Sequence, residues 1–181
     1  SLRRQRQMCI RDSYDRVAPD RADNVFRKQI AAARITGLPL VIHSRSADDA
    51  MIATLEDEMG KGAFKAVLHC FSSGQRLAEA GIALGFYVSF SGILTYKKSD
   101  ELRAIAAAVP LEHLLVETDA PYLAPQSHRG KRNEPAFVTE THATLAAVKG
   151  LSVDELARHT TDNFFRLFSK ARRPLQEQSV A

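Results

Sequence analysis

With 181 residues, 45% of them hydrophobic, the chain can bury the core of one domain, and without a run of about 18 apolar residues it holds no transmembrane helix. Two cysteines, Cys9 and Cys70, make no disulfide framework, and no secretory leader is read at the start, so a reducing, cytoplasmic setting is expected. The formal charge of +4 and pI of about 9.2 do not argue for a nucleic-acid-binding face, because residues 1–13 hold four Arg and one Asp and leave the remainder only +1.

Residues 1–13, SLRRQRQMCIRDS, show no apolar periodicity and read as a non-native or disordered tail, similar to translated sequencing-adapter read-through. The domain proper is expected over residues 14–169, with 170–181 a polar C-terminal tail. Pro19 and Asp20 open a helix with Val25, Phe26, Gln29, Ile30 and Ala33 on one face; Gly37 ends it and Pro39 blocks its continuation. The strand Leu40–His43 follows. Ser46 and Asp49 suggest an approximate capping box for a helix running to about Met59, broken by Gly60 and Gly62.

A second strand is predicted over Ala66–His69, then Ser72-Ser73-Gly74 and a helix from about Gln75 to Leu84. Phe86–Phe90 reads as a third strand closed by Ser91-Gly92. Ser99 or Asp100 caps a helix with an apolar stripe of Leu102, Ile105, Ala106 and Val109, and Leu114–Val116 is a fourth strand running into Glu117-Thr118-Asp119. The segment APYLAPQSHRGKRNEPAFV is too rich in Pro, Gly and charge for regular structure. Ser152 and Glu155 form a second capping box, and residues 163–168, NFFRLF, read as an apolar terminal helix with Phe164, Phe165 and Phe168 in the core.

Strands and helices alternate, and each strand is an apolar run too short for a helix, as in a parallel sheet buried on both faces. If the strands lie parallel, their C-terminal ends gather at one mouth and bring together His43, His69 and Asp119. Imidazoles and a carboxylate are the donors of hydrolytic divalent-metal sites. A histidine ending an apolar strand is also a common satisfied core residue, and Asp119 could simply cap a turn.

In order and spacing, the motifs VIHSR (41–45), LHCFSSG (68–74), FYVSFSGILT (86–95), ETDAPYLAP (117–125), RGKRNEP (129–135) and NFFRLF (163–168) resemble the TatD family of metal-dependent hydrolases, of the amidohydrolase-like superfamily. The resemblance implies an α/β fold, the TIM (β/α)8 barrel, with a metal site at its C-terminal mouth. It implies His43, His69 and Asp119 as metal ligands, Asp119 also orienting or deprotonating the attacking water. Glu117, on the same side as Asp119 by alternation, is expected to support the site. Family members carry a His-x-His pair on the first strand and a metal-binding glutamate ending the third, and neither has a counterpart here. A full barrel needs about 250 residues, and 168 follow the tail. The barrel is therefore expected to be incomplete, with its first three strands missing and its second metal site lost.

The resemblance implies a divalent-metal-dependent deoxyribonuclease that cleaves phosphodiester bonds in DNA by metal-activated water. Two ions (Mg, Mn or Zn) are expected in the full-length protein, with DNA as substrate and no membrane or obligate protein partner. The alternatives are an amide or ester hydrolase of the same fold, such as a D-aminoacyl-tRNA deacylase, or an inactive barrel fragment. Arg45, Arg129, Lys131 and Arg132 are candidates for phosphate contacts, Arg as a planar fork and Lys as a point charge, with a solvated loop as the competing reading. Asn133 and Glu134 are expected to brace that loop. Cys70 reads as a small buried apolar residue rather than a nucleophile.

Overall fold

The computed structural model describes residues 8–12 and 19–174. Their strands, β1 (Met8–Asp12), β2 (Leu40–Arg45), β3 (Ala66–Leu68), β4 (Tyr87–Phe90) and β5 (Leu114–Val116), form one sheet in the order β1-β2-β3-β4-β5, all parallel. The helices are α1 (Pro19–Thr36), α2 (Asp48–Lys61), α3 (Gln75–Ala83), α4 (Asp100–Ala108), α5 (Val138–Lys149) and α6 (Val153–Leu167). A doubly wound sheet reverses its strand order at a switch point, whereas sequential parallel strands with intervening helices are the winding of a β/α barrel.

Residues 1–13 were expected to lie outside the fold, and no strand was expected before residue 39. The structure corrects this for Met8–Asp12, which pairs along β2 from Met8 with Val41 to Asp12 with Arg45. A ladder is made by backbone groups that any non-proline residue supplies, and the edge of β2 has N–H and C=O groups to satisfy. Absence of apolar alternation therefore did not preclude pairing.

Both faces of the sheet are covered, and the side-chain period of two sorts them. Leu40 and Ile42, Ala66 and Leu68, Val88 and Phe90, and Leu114 join the large core under the helices with Ile30, Leu55, Leu77 and Leu145. Val41, Val67, Tyr87 and Leu115, one per strand from β2 to β5, form a second cluster on the other face, closed by Leu167 and Phe168 at the end of α6. α6 is fixed to the sheet by buried Asn163, whose Nδ2 donates to the carbonyls of Leu111 and Leu114 at 2.7 and 2.8 Å.

Several local expectations shift for identifiable reasons. α2 has no capping box: Ser46 has φ of 52°, and the residue before the helix is Ala47. Ser99 precedes α4 as expected, but its hydroxyl donates to the Ile93 carbonyl instead of capping. The Ser152–Glu155 box forms in full. In α1 the buried stripe is Phe26, Ile30 and Ala33, leaving Val25 exposed. In α6, Leu167 is the buried residue while Phe164 is 42% exposed and Phe165 and Phe168 are half-buried, because Leu156, Thr160, Asn163 and Leu167 occupy the inward face.

Candidate metal centre

Strand register builds the site. Val41 lies beside Val67, and Ile42 beside Leu68; one step further sets His43 beside His69. The ladder continues past β3, since the His69 N–H donates to the Ile42 carbonyl at 2.8 Å. The two imidazole centroids are 6.0 Å apart. β4 and β5 pair Phe90 with Val116, and Glu117 N–H extends that ladder to the Phe90 carbonyl at 3.0 Å. His69 and Glu117 are thus each the first residue beyond a short buried strand, and parity puts both on the face of Val67 and Leu115.

His69, Glu117 and Asp119 offer ligand atoms within 4.8 Å of one another, all three half-buried. Nδ1 of His69 lies 2.7 and 2.9 Å from the two oxygens of Glu117. A carboxylate only accepts, so this contact puts a proton on Nδ1 and turns Nε2 towards Asp119, whose Oδ1 is 3.4 Å away. A carboxylate holding one ring nitrogen while the other faces a ligand position is the usual support of a metal-binding histidine. The 3.4 Å separation also suits neighbouring donors on a tetrahedral ion with bonds of about 2.0–2.1 Å. Glu117 Oε1 is buried and makes no hydrogen bond beyond this contact with His69. The donor set therefore fits a divalent cation. Burial opposes a charge on His69, but the Glu117 hydrogen bond and the charges of Glu117 and Asp119 outweigh it and raise the pKa. The same acidic field attracts a metal ion.

The loop carrying Asp119 is held against the turn after β4. A Cβ on Gly92 would lie 2.2 Å from the Leu123 carbonyl oxygen, so only glycine lets the two backbones approach. Tyr96 Oη donates to the Ala124 carbonyl at 3.1 Å, and the Gln126 N–H donates to Thr95 Oγ1 at 2.8 Å. Asn133 is buried: its Nδ2 donates to the Tyr122 carbonyl at 2.6 Å, its Oδ1 accepts from the Glu134 N–H, and its own N–H donates to the Pro121 carbonyl. Glu134 is exposed and enters this brace through its backbone.

The other sequence candidates lie outside the tight group. His43 is half-buried beside His69 but is not among the three closest donors. Arg45 lines a cleft of about 680 Å3 with Ser72, Ser73 and Lys98. Arg129, Lys131 and Arg132 are exposed, the Arg129 guanidinium lying over the Tyr96 ring at 4.5 Å. Cys70 is buried against Ser91 Oγ, and burial pushes its thiol up to about 12, which makes it inert at neutral pH. Glu117 is the residue whose closeness to His69 the sequence reading under-weighted. Its position directly after a strand, matching that of His69, was the available signal.

A sequence profile of the family described as TatD related DNase matches residues 10–169. The chain belongs to this family. It is 45% identical over 148 residues to the uncharacterized metal-dependent hydrolase YcfH of Escherichia coli K12, an alignment covering 82% of this chain and 56% of YcfH. It is 37% identical over 162 residues to the uncharacterized metal-dependent hydrolase YabD of Bacillus subtilis, covering 90% of this chain and 63% of YabD. The crystal structure of YJJV, a TatD homologue from Escherichia coli K12, superposes with a TM-score of 0.76 at 28% identity, covering 86% of this chain and 61% of YJJV. The TatD-family chain thus spans a little over half the length of these relatives, two of which are described as metal-dependent hydrolases, and has a TIM-barrel-like α/β fold. Among its described residues no helix is long and apolar enough to cross a membrane.

Proposed function

We propose that the full-length enzyme to which this chain corresponds is a divalent-metal-dependent phosphodiesterase acting on DNA, and that additional strands close its barrel. The carrying observation is His69, held at Nδ1 by Glu117 and facing Asp119 through Nε2 at the C-terminal mouth of a parallel sheet. The family description, TatD related DNase, supports DNA as the substrate.

His69 and Asp119 would hold the ion, with His43 adjacent and Glu117 fixing the ring. When bound, a divalent ion supplies Lewis acidity at the phosphoryl oxygen and makes water more acidic. Asp119 accepts the proton from the attacking water as its oxygen bonds to phosphorus and the opposite ester oxygen leaves. Lys131 and Arg132, with Arg45, stabilise the charge that gathers on the phosphoryl oxygens. Zn and Mn suit imidazole and carboxylate donors, and Mg is acceptable with more oxygen ligands.

End-labelled DNA incubated with each metal tests this. The expected result is cleavage that requires metal, stops on chelation and is abolished in full-length Asp119→Ala. Turnover of amide, ester or D-aminoacyl-tRNA substrates with DNA left intact would replace the phosphodiesterase reading by the other hydrolase chemistry.

A further inference from the structure

Tyr122 is 70% exposed, three residues beyond Asp119. Single exposed aromatics are ordinary on protein surfaces, but the backbone of this one is pinned on both sides. Its N–H donates to the Asp119 carbonyl at 2.7 Å, and its carbonyl accepts from buried Asn133 at 2.6 Å. The next residue, Leu123, has φ of 54°, a region costly for a branched side chain, and its carbonyl seats on Gly92. The loop thus fixes the main chain while leaving the ring in solvent. The Asn133–Pro121 hydrogen bond also ties the segment of the exposed cations Lys131 and Arg132 to the residue before Tyr122. An exposed aromatic ring three residues beyond Asp119, on a loop tied to the segment that carries two cations, matches an unpaired nucleotide, whose base offers a π-face and whose backbone offers negative charge.

Resting on the phosphodiesterase reading above, we infer that Tyr122 is a positioning residue on which the base of the nucleotide adjoining the scissile phosphate stacks. The contact is made by the ring rather than the hydroxyl, so it holds the strand in place without selecting a sequence.

The test is fluorescence anisotropy of the 181-residue chain with a labelled six-nucleotide oligo-dT and with an abasic strand of the same length, both without added metal. Asp119 and the cations are left intact. Tyr122→Ala is expected to bind oligo-dT about tenfold more weakly than wild type, with Tyr122→Phe close to wild type. The abasic strand is expected to bind wild type and Tyr122→Ala equally. Wild-type affinity of Tyr122→Ala for oligo-dT overturns the inference. So does an equal loss on both strands, which marks a disturbed loop, or a loss in Tyr122→Phe, which marks a hydroxyl contact. Metal-dependent DNA cleavage alongside any of these leaves the phosphodiesterase reading standing, whereas wild-type chain that binds neither strand counts against both.

Discussion

At the scale of single residues, the chemistry rests on which nitrogen of His69 is free. In the proposed centre Glu117 takes Nδ1 and leaves Nε2 for the ion, so Glu117→Gln keeps the shape but removes the charge that fixes the tautomer. Metal affinity is expected to fall by about 10–100-fold, as for other carboxylate supports of metal-binding histidines, read by calorimetric titration. Unchanged affinity would show that Glu117 is a bystander. Much of this was legible in the sequence: His43, His69 and Asp119 each follow a short apolar run, and a parallel sheet must gather such ends. The rank of Glu117 was not, because it depends on ladders extending one residue past β3 and β5. Nor was the packing of Phe164, since the phase of α6 is set by Asn163 reaching the carbonyls of Leu111 and Leu114.

At the scale of elements, α1 and α2 are tied by a charge cluster. Buried Glu58 accepts from Arg27 and Lys61 at 2.8 Å each and from Arg34 at 2.7 Å. Burial opposes its charge, yet the hydrogen bonds of Lys61, Arg34 and Arg27 hold its carboxyl down at about 2 against an ordinary 4.5. A depressed carboxylate stabilises the fold fully above its unfolded pKa and loses that contribution as pH falls through the folded one. Wild type should therefore lose stability from about pH 4.5 down to about pH 2. Glu58→Gln should be about 2 kcal/mol less stable at pH 7 and flatter over the acid range, by urea denaturation. A second element-level consequence concerns the loop of Asp119. Gly92→Ala should cost about 1–3 kcal/mol, because the added methyl meets a carbonyl that cannot move without its loop. It should also weaken metal binding although residue 92 is no ligand. Asn163→Ala strips the donor from two carbonyls and should destabilise by about 2 kcal/mol while sparing metal affinity. Helix positions were legible from periodicity. Caps were less so: Ser152–Glu155 forms its box, but Ser46 falls at a positive φ and the residue before α2 is Ala47.

At the scale of the molecule, the five parallel strands among the described residues follow chain order and carry the candidate centre at their C-terminal ends, and their winding is that of the family barrel. Alternation of helix and short apolar run made the α/β class legible. The strand at Met8–Asp12 was not, because backbone pairing to β2 leaves no apolar signature. The central claim is that the mouth formed by His69, Glu117 and Asp119 holds a divalent ion. Calorimetric titration of Mn or Zn into wild type, His69→Ala and Asp119→Asn tests it directly. The account predicts binding by wild type and its loss in both variants, each still folded by circular dichroism. Wild-type affinity retained in Asp119→Asn, or no binding by wild type, would contradict it.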